Sequence, residues 1–133
     1  MATILIIDDQ LTSRLILQQL VNSLEENISV EAFANPLQAL QWTSGNAADL
    51  ILVDYKMPEM NGIEFIQRFR SHPSSAHVPV IMVTSIEDRA VRYEALEAGA
   101  TDFLMKPVDH HECRARCQNL LTQYQQYKII SDR

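Results

Sequence analysis

Short continuous apolar runs alternate with amphipathic stretches along the chain, and this alternation limits the fold more than any other feature. Thr3–Ile7, Asp49–Val53 and Val78–Val83 are apolar at nearly every position, with weaker runs at Ser29–Phe33 and Asp102–Met105. A run without polar alternation reads as a strand buried on both faces, the mark of a parallel sheet covered by helices. The stretches between them have helical spacing. Leu11–Leu24 sets Ile16, Leu17, Leu20, Val21 and Leu24 on one stripe. Asn35 caps and Pro36 opens a second helix, which carries Leu37, Leu40 and Trp42 and ends at Gly45. Gly62–Arg70 spaces Ile63, Ile66 and Phe69 by three, Glu87–Ala98 closes at Gly99, and Asp109 caps a fifth helix. Five such β-α pairs with short connections predict one doubly wound, three-layer α/β domain, a size that 133 residues suit.

In folds of this kind the ligand site lies at the carboxyl ends of the strands. The first strand runs ILII straight into Asp8 and Asp9. The third ends in Asp54, the fourth in Thr84 and Ser85, and the fifth in Lys106-Pro107. Three carboxylates, two hydroxyls and one ammonium are therefore predicted to converge on one sheet edge. Carboxylates this close do not all stay ionised unaided. A hard divalent cation is the natural compensation, and Mg²⁺ is commonly held by one or two carboxylates plus waters. Asp9, Asp54 and a loop carbonyl meet that demand, with Asp8 placed to hold a bound water; Mn²⁺ is the expected substitute. A carboxylate is also a nucleophile toward phosphorus. Asp54, on the middle strand, is the best candidate, with Lys106 and Thr84 to stabilise phosphoryl charge.

The bulk properties exclude other classes. A formal net charge of −6 argues against a nucleic-acid surface, which needs clustered Lys and Arg. No apolar run approaches the roughly 20 residues that span a bilayer, so no membrane association is expected. The start MATILIIDDQ lacks the basic residues and cleavage site of a signal peptide. The expected location is cytoplasmic, with Cys113 and Cys117 as reduced thiols. In HHECRARC, His110, Cys113 and Cys117 have helical spacing and His111 is adjacent, but they match neither a zinc pattern nor a redox CxxC. The cysteines are expected to pack as small apolar residues, with the histidines solvated. Met57, Met60, Met82 and Met105 read as core or loop fillers, and Trp42 as a packing residue.

IDD, LVDYKMPEMNG, VTS and EAGATDFLMKP, in this order and each ending the expected strand, resemble the receiver domain of bacterial two-component response regulators. The resemblance covers residues 2 to about 125, and divides the chain into a receiver at 1–125 and a helical extension or linker start at 126–133. It implies a flavodoxin-like (βα)5 fold with a five-stranded parallel sheet in the order 2-1-3-4-5. It implies Asp54 as phosphoacceptor, Asp9 as a direct Mg²⁺ ligand, Asp8 as a ligand through water, and the Lys56 backbone carbonyl as a further ligand. Thr84 would be the switch hydroxyl, with Ser85 beside it, and Lys106 would pair with a phosphoryl oxygen. The Lys106–Pro107 bond would be cis. Phe103 takes the aromatic switch position where the family often has Tyr, so no hydroxyl is available there. The donor would be a histidine kinase or phosphotransfer protein, and the protein would act on itself rather than turn over an external substrate.

The face formed by the fourth helix, fifth strand and fifth helix is the expected output surface. Arg92, Asp102, Glu112 and Arg116 have the signs for Arg92–Glu112 and Asp102–Arg116 pairs between two copies, as in the winged-helix subfamily; pairing within one chain is the simpler alternative. Cys117, Leu120, Tyr124, Tyr127 and Ser131 follow at spacings of three and four, widened by Leu121 and Ile130. This resembles a signalling helix of the kind that precedes cyclic-dinucleotide phosphodiesterase (HD-GYP-type) or diguanylate cyclase domains. The stretch would then lead to a linked output domain; otherwise it ends the fifth helix.

Three rivals are weighed against this reading. A haloacid-dehalogenase-like phosphatase needs a second Asp two residues after the nucleophile, where Lys56 stands. A flavodoxin-like electron carrier needs a Ser, Thr and Gly-rich phosphate loop where IDDQLTS stands. A phosphorylation-independent receiver acting as a binding module would lose an acidic or Lys position, and none is lost. Ile86 cannot orient an attacking water, so slow self-dephosphorylation is expected.

Overall fold

The computed structural model describes residues 1–131. Among these, five strands and five α-helices alternate: β1 (Ala2–Ile7), α1 (Leu11–Asn22), β2 (Ile28–Phe33), α2 (Pro36–Gly45), β3 (Leu50–Asp54), α3 (Gly62–Arg70), β4 (Val80–Thr84), α4 (Arg89–Ala98), β5 (Asp102–Met105) and α5 (His110–Ser131). A 3-10 turn at Pro73–Ser75 joins α3 to β4. Every pairing is parallel and the order is β2-β1-β3-β4-β5, as the resemblance implies.

The continuous apolar runs behave as predicted. Ile4–Ile7, Leu50–Val53 and Val80–Val83 have no exposed surface. Alternate side chains serve the two faces. Leu5, Ile7, Ile51, Val53, Val80 and Met82 pack under α2, α3 and α4 with Ala39, Phe65, Ile66 and Ala95. Ile4, Ile6, Leu50, Leu52, Ile81 and Val83 pack under α1 and α5 with Leu17, Val21, Cys113, Cys117 and Leu121. Each fully buried large aliphatic contributes about 1.5–3 kcal/mol over its exposed state. Both cysteines are free and buried, and both histidines at the start of α5 are exposed.

Several boundaries move for local reasons. α4 starts at Arg89 rather than Glu87, because Asp88 is extended and its side chain accepts the Ala90 N–H at 2.8 Å. β4 starts at Val80 rather than Val78; Pro79 has no N–H to give a ladder, although its carbonyl accepts the Ile51 N–H at 3.0 Å. Ile16 and Leu37 were expected in the core but are 40% and 42% exposed. They lie at the margins of the apolar faces, away from the residues that these helices bury.

α5 is unbroken to Ser131, so residues 126–131 of the expected extension continue the same helix; residues 132 and 133 lie outside the described residues. Cys117 and Leu121, two residues of the coiled-coil-like stripe, are buried against the chain's own sheet. Among the described residues no helix is long and apolar enough to cross a membrane.

Candidate functional site

A parallel sheet delivers all its strand ends to one edge. At the end of β1, Asp8 is fully buried. Its Oδ1 accepts the Gln10 N–H at 2.9 Å, closing the turn that leads into α1. Its Oδ2 accepts from Lys106 Nζ at 3.0 Å. From α1, Arg14 reaches back and donates to the Asp8 backbone carbonyl at 2.8 Å. Asp9 is exposed beside it, and Asp54, the last residue of β3, is 7% exposed.

The three aspartates each offer an oxygen within 4.8 Å of the others. Asp8 and Asp54 share the Lys106 ammonium, which lies 3.0 Å from Asp8 Oδ2 and 3.3 Å from Asp54 Oδ2. Lys106 comes from the loop after β5, and the Lys106–Pro107 bond is cis. Burial pushes the Asp54 carboxyl above the ordinary carboxylate range; nearby Lys106 opposes this and the Asp8 charge adds to it. The open cleft at this edge is lined by Asp9, Asp54, Lys56, Thr84, Ser85 and Lys106, together with Gln10, Met57 and Pro58. An oxygen-rich cleft that also presents the Lys106 ammonium can hold a hard cation and a phosphoryl group side by side.

Thr84 is buried, and its hydroxyl accepts the Ile86 N–H at 3.1 Å, which shapes the loop leading to α4. Ser85 is exposed next to it. Phe103 is partly buried on β5, and the Arg92 guanidinium lies 5.5 Å from its ring centroid. Arg116 donates to Asp102 at 2.6 Å and pairs with Glu112 one turn away at 3.1 Å. Asp102 and Arg116 thus meet within one chain, the simpler of the two alternatives, while Arg92 covers Phe103.

Three residues near the site were not singled out from the sequence for the roles the structure gives them. Gly62 opens α3 directly against the end of β3. A Cβ on Gly62 would lie 2.5 Å from the Asp54 carbonyl oxygen, and the Gly62 N–H donates to the Tyr55 carbonyl at 2.8 Å. Only glycine permits that approach. The sequence signal is Asn61-Gly62 at the start of the helix, where Asn61 caps and Gly62 follows. Gln10 and Arg14 follow the acidic pair, and nothing in their local pattern announces that they fold back onto it.

Residues 4–118 match the family described as response regulator receiver domain. Over 130 residues the chain is 42% identical to the cyclic di-GMP phosphodiesterase response regulator RpfG of Xanthomonas campestris pv. campestris, covering 98% of this chain and 34% of that protein. It is 30% identical to the response regulator PleD of Caulobacter vibrioides, covering 98% of this chain and 28% of that one. The chain therefore spans about a third of the length of these curated relatives. Among solved structures, a putative response regulator from Chloroflexus aurantiacus superposes with a TM-score of 0.83 at 30% identity, covering 91% of this chain and 98% of that one. Chemotaxis response regulator CheY4 of Vibrio cholerae superposes at 0.82 with 27% identity, covering 90% and 98%. With the strand order, the acidic strand ends and these matches in agreement, the chain belongs to the response regulator receiver domain family.

Proposed function

We propose that this receiver accepts a phosphoryl group on Asp54 in a Mg²⁺-dependent reaction. The observation that carries the reading is the set of three carboxylates within 4.8 Å, two of which, Asp8 and Asp54, share the Lys106 ammonium. The donor set fits a hard divalent cation. Asp9, Asp54 and the Lys56 backbone carbonyl would hold Mg²⁺, or Mn²⁺ in its place, and Asp8 would hold it through water. When bound, the cation neutralises carboxylate repulsion and draws charge from phosphoryl oxygens.

The chain's own groups do the rest. A carboxylate oxygen of Asp54 attacks phosphorus in line, and the bond from phosphorus to the donor breaks. The electron pair leaves with the donor, a phosphohistidine nitrogen or the acyl oxygen of a small phosphodonor. Lys106 moves from Asp54 to a phosphoryl oxygen. The Thr84 hydroxyl turns from the Ile86 N–H to another, and this releases the loop before α4. Phe103 turns inward behind Thr84 and leaves Arg92. The α4-β5-α5 face is thereby biased between two states, a population shift rather than a new fold.

The donor is a histidine kinase or a phosphotransfer protein. The output is a linked domain or a separate partner. A homodimer through α4-β5-α5 is part of the same reading: Arg92 and Arg116 would exchange Phe103 and their own chain's acids for Glu112 and Asp102 of a second copy. Phosphorylation that left the mass of both native protein and the Arg92→Ala/Glu112→Ala variant monomeric would remove the dimer from the account. Ile86 offers no group to orient a water, so the acyl phosphate should outlast seconds.

The test is intact mass after incubation with acetyl phosphate and Mg²⁺. One added phosphoryl group, absent in Asp54→Ala and in EDTA, is the expected result. No gain under any condition would recast the domain as a phosphorylation-independent binding module.

A further inference from the structure

The sheet edge opposite the acidic site holds a second buried carboxylate, which the phosphoryl chemistry does not use. Asp49 stands just before β3 and is 7% exposed. Its Oδ2 accepts the Thr3 N–H at 2.7 Å, and its own N–H donates to the Thr3 carbonyl at 2.8 Å. These bonds clamp the starts of β1 and β3, whose far ends carry Asp8 and Asp54. The remaining oxygen, Oδ1, pairs with Lys128, 79 residues away on α5.

The last turns of α5 are held differently from the rest of that helix. Its buried residues are Cys113, Cys117 and Leu121. Beyond Leu121, Tyr124 is partly buried against the apolar core, and the remaining contacts of these turns are ionic and aromatic. Lys128 Nζ lies 5.1 Å from the Tyr124 ring centroid, so the ammonium sits between a carboxylate and a π face. Tyr127 stacks on His77 of the loop before β4, with centroids 4.1 Å apart and planes 28° apart. The Tyr124 and Tyr127 rings lie 6.1 Å apart. One turn further, Ile129 and Ile130 are 61% and 69% exposed.

We propose that Asp49 is the docking point of a latch, made by Lys128, Tyr124 and Tyr127 with His77, that fixes the last turns of α5 against the lower edge of the sheet. Helix ends without tertiary contacts fray at small free-energy cost. Here an ion pair to a buried carboxylate and a ring stack add to the packing of Tyr124, so the helix keeps its direction past Leu121. Asp49 in turn depends on Lys128, because a buried carboxylate that loses its cation is strongly disfavoured. The folded unit then extends through Lys128 instead of ending near residue 125, with α5 held as one element to that point. This inference is independent of whether Asp54 accepts phosphate.

The test is amide hydrogen exchange on the full chain. Lys128 is 44% exposed on its side chain, so Lys128→Met should fold. The expected result is that amides at 124–131 exchange about tenfold faster or more in Lys128→Met, while those at 113–121 keep their protection. Asp49→Asn, which still accepts from Thr3, should reproduce the effect, and Lys128→Arg should abolish it. High salt should move the native tail toward the Lys128→Met pattern, because half-exposed charges are screened. Unchanged protection in Lys128→Met would overturn the latch. So would loosening by Lys128→Met without loosening by Asp49→Asn, since Asp49 would then not be the docking point.

Discussion

The two edges of the sheet carry buried charge in opposite ways. At the upper edge, Asp8, Asp9 and Asp54 crowd together while only Asp8 and Asp54 pair with Lys106, and the Asp54 carboxyl is held above its ordinary range. At the lower edge, the buried Asp49 and the half-buried Arg70 each have their own partners. Asp49 is satisfied by Thr3 and Lys128. Arg70 donates to the Gly99 carbonyl through two nitrogens, at 3.1 and 2.8 Å, and to the Ser75 carbonyl, which fastens α3 to the end of α4. The difference teaches where to look for function in such a domain. A paired edge stabilises, whereas an edge with surplus negative charge is short of a cation and is the place to look for a functional site.

Substitutions that break this contrast should differ in size and sign. The largest effect is expected from Gly62→Ala. A methyl placed 2.5 Å from the Asp54 carbonyl forces α3 and the end of β3 apart. Denaturant unfolding should show a loss of about 2–3 kcal/mol, and phosphoryl uptake should slow as Asp54 shifts. At the lower edge, Arg70→Ala should cost about 2 kcal/mol through lost charged hydrogen bonds to partly buried carbonyls, measured the same way, with uptake by Asp54 unchanged.

A smaller effect of opposite sign is expected from Asp54→Asn. Asp54 holds its proton to higher pH in the fold than in the unfolded chain. Native stability from this group is therefore fully present below the unfolded value, and is lost as pH rises through the raised one. Removing the charge should raise the thermal midpoint at neutral pH without Mg²⁺, and flatten its decline with pH over that window.

The smallest effect belongs to Asp109, whose carboxylate accepts the Glu112 N–H at 2.9 Å at the start of α5. That bond lowers its pKa. Its contribution is present above the unfolded value and is lost as pH falls through the lowered one. Asp109→Ala should speed exchange in the first turn of α5 at neutral pH, and the difference from native should vanish in acid.

Much of the fold was legible because parallel strands buried on both faces leave unbroken apolar runs, and strand ends in one layer are neighbours by construction. That is why Asp8, Asp9, Asp54, Thr84 and Lys106 could be grouped before any coordinates. What stayed hidden depends on contacts with no period. Arg14 folds back on Asp8, Gly62 is pressed against Asp54, and Asp49 meets Lys128 across 79 residues. The apolar spacing at the end of α5 was legible as a stripe, but not its target: Leu121 faces the chain's own sheet and Tyr127 faces His77. His77 itself carried no signal in the sequence.

The central claim is that the surplus negative charge at the upper edge serves phosphoryl transfer to one carboxylate. The most direct measurement locates the group. The protein is phosphorylated with acetyl phosphate and Mg²⁺, reduced with borohydride to convert an acyl phosphate to an alcohol, and digested for peptide mass analysis. Homoserine at position 54 and at no other aspartate is the predicted result. A phosphoryl mass gain that leaves Asp54 intact, or places homoserine at position 9, would contradict the account.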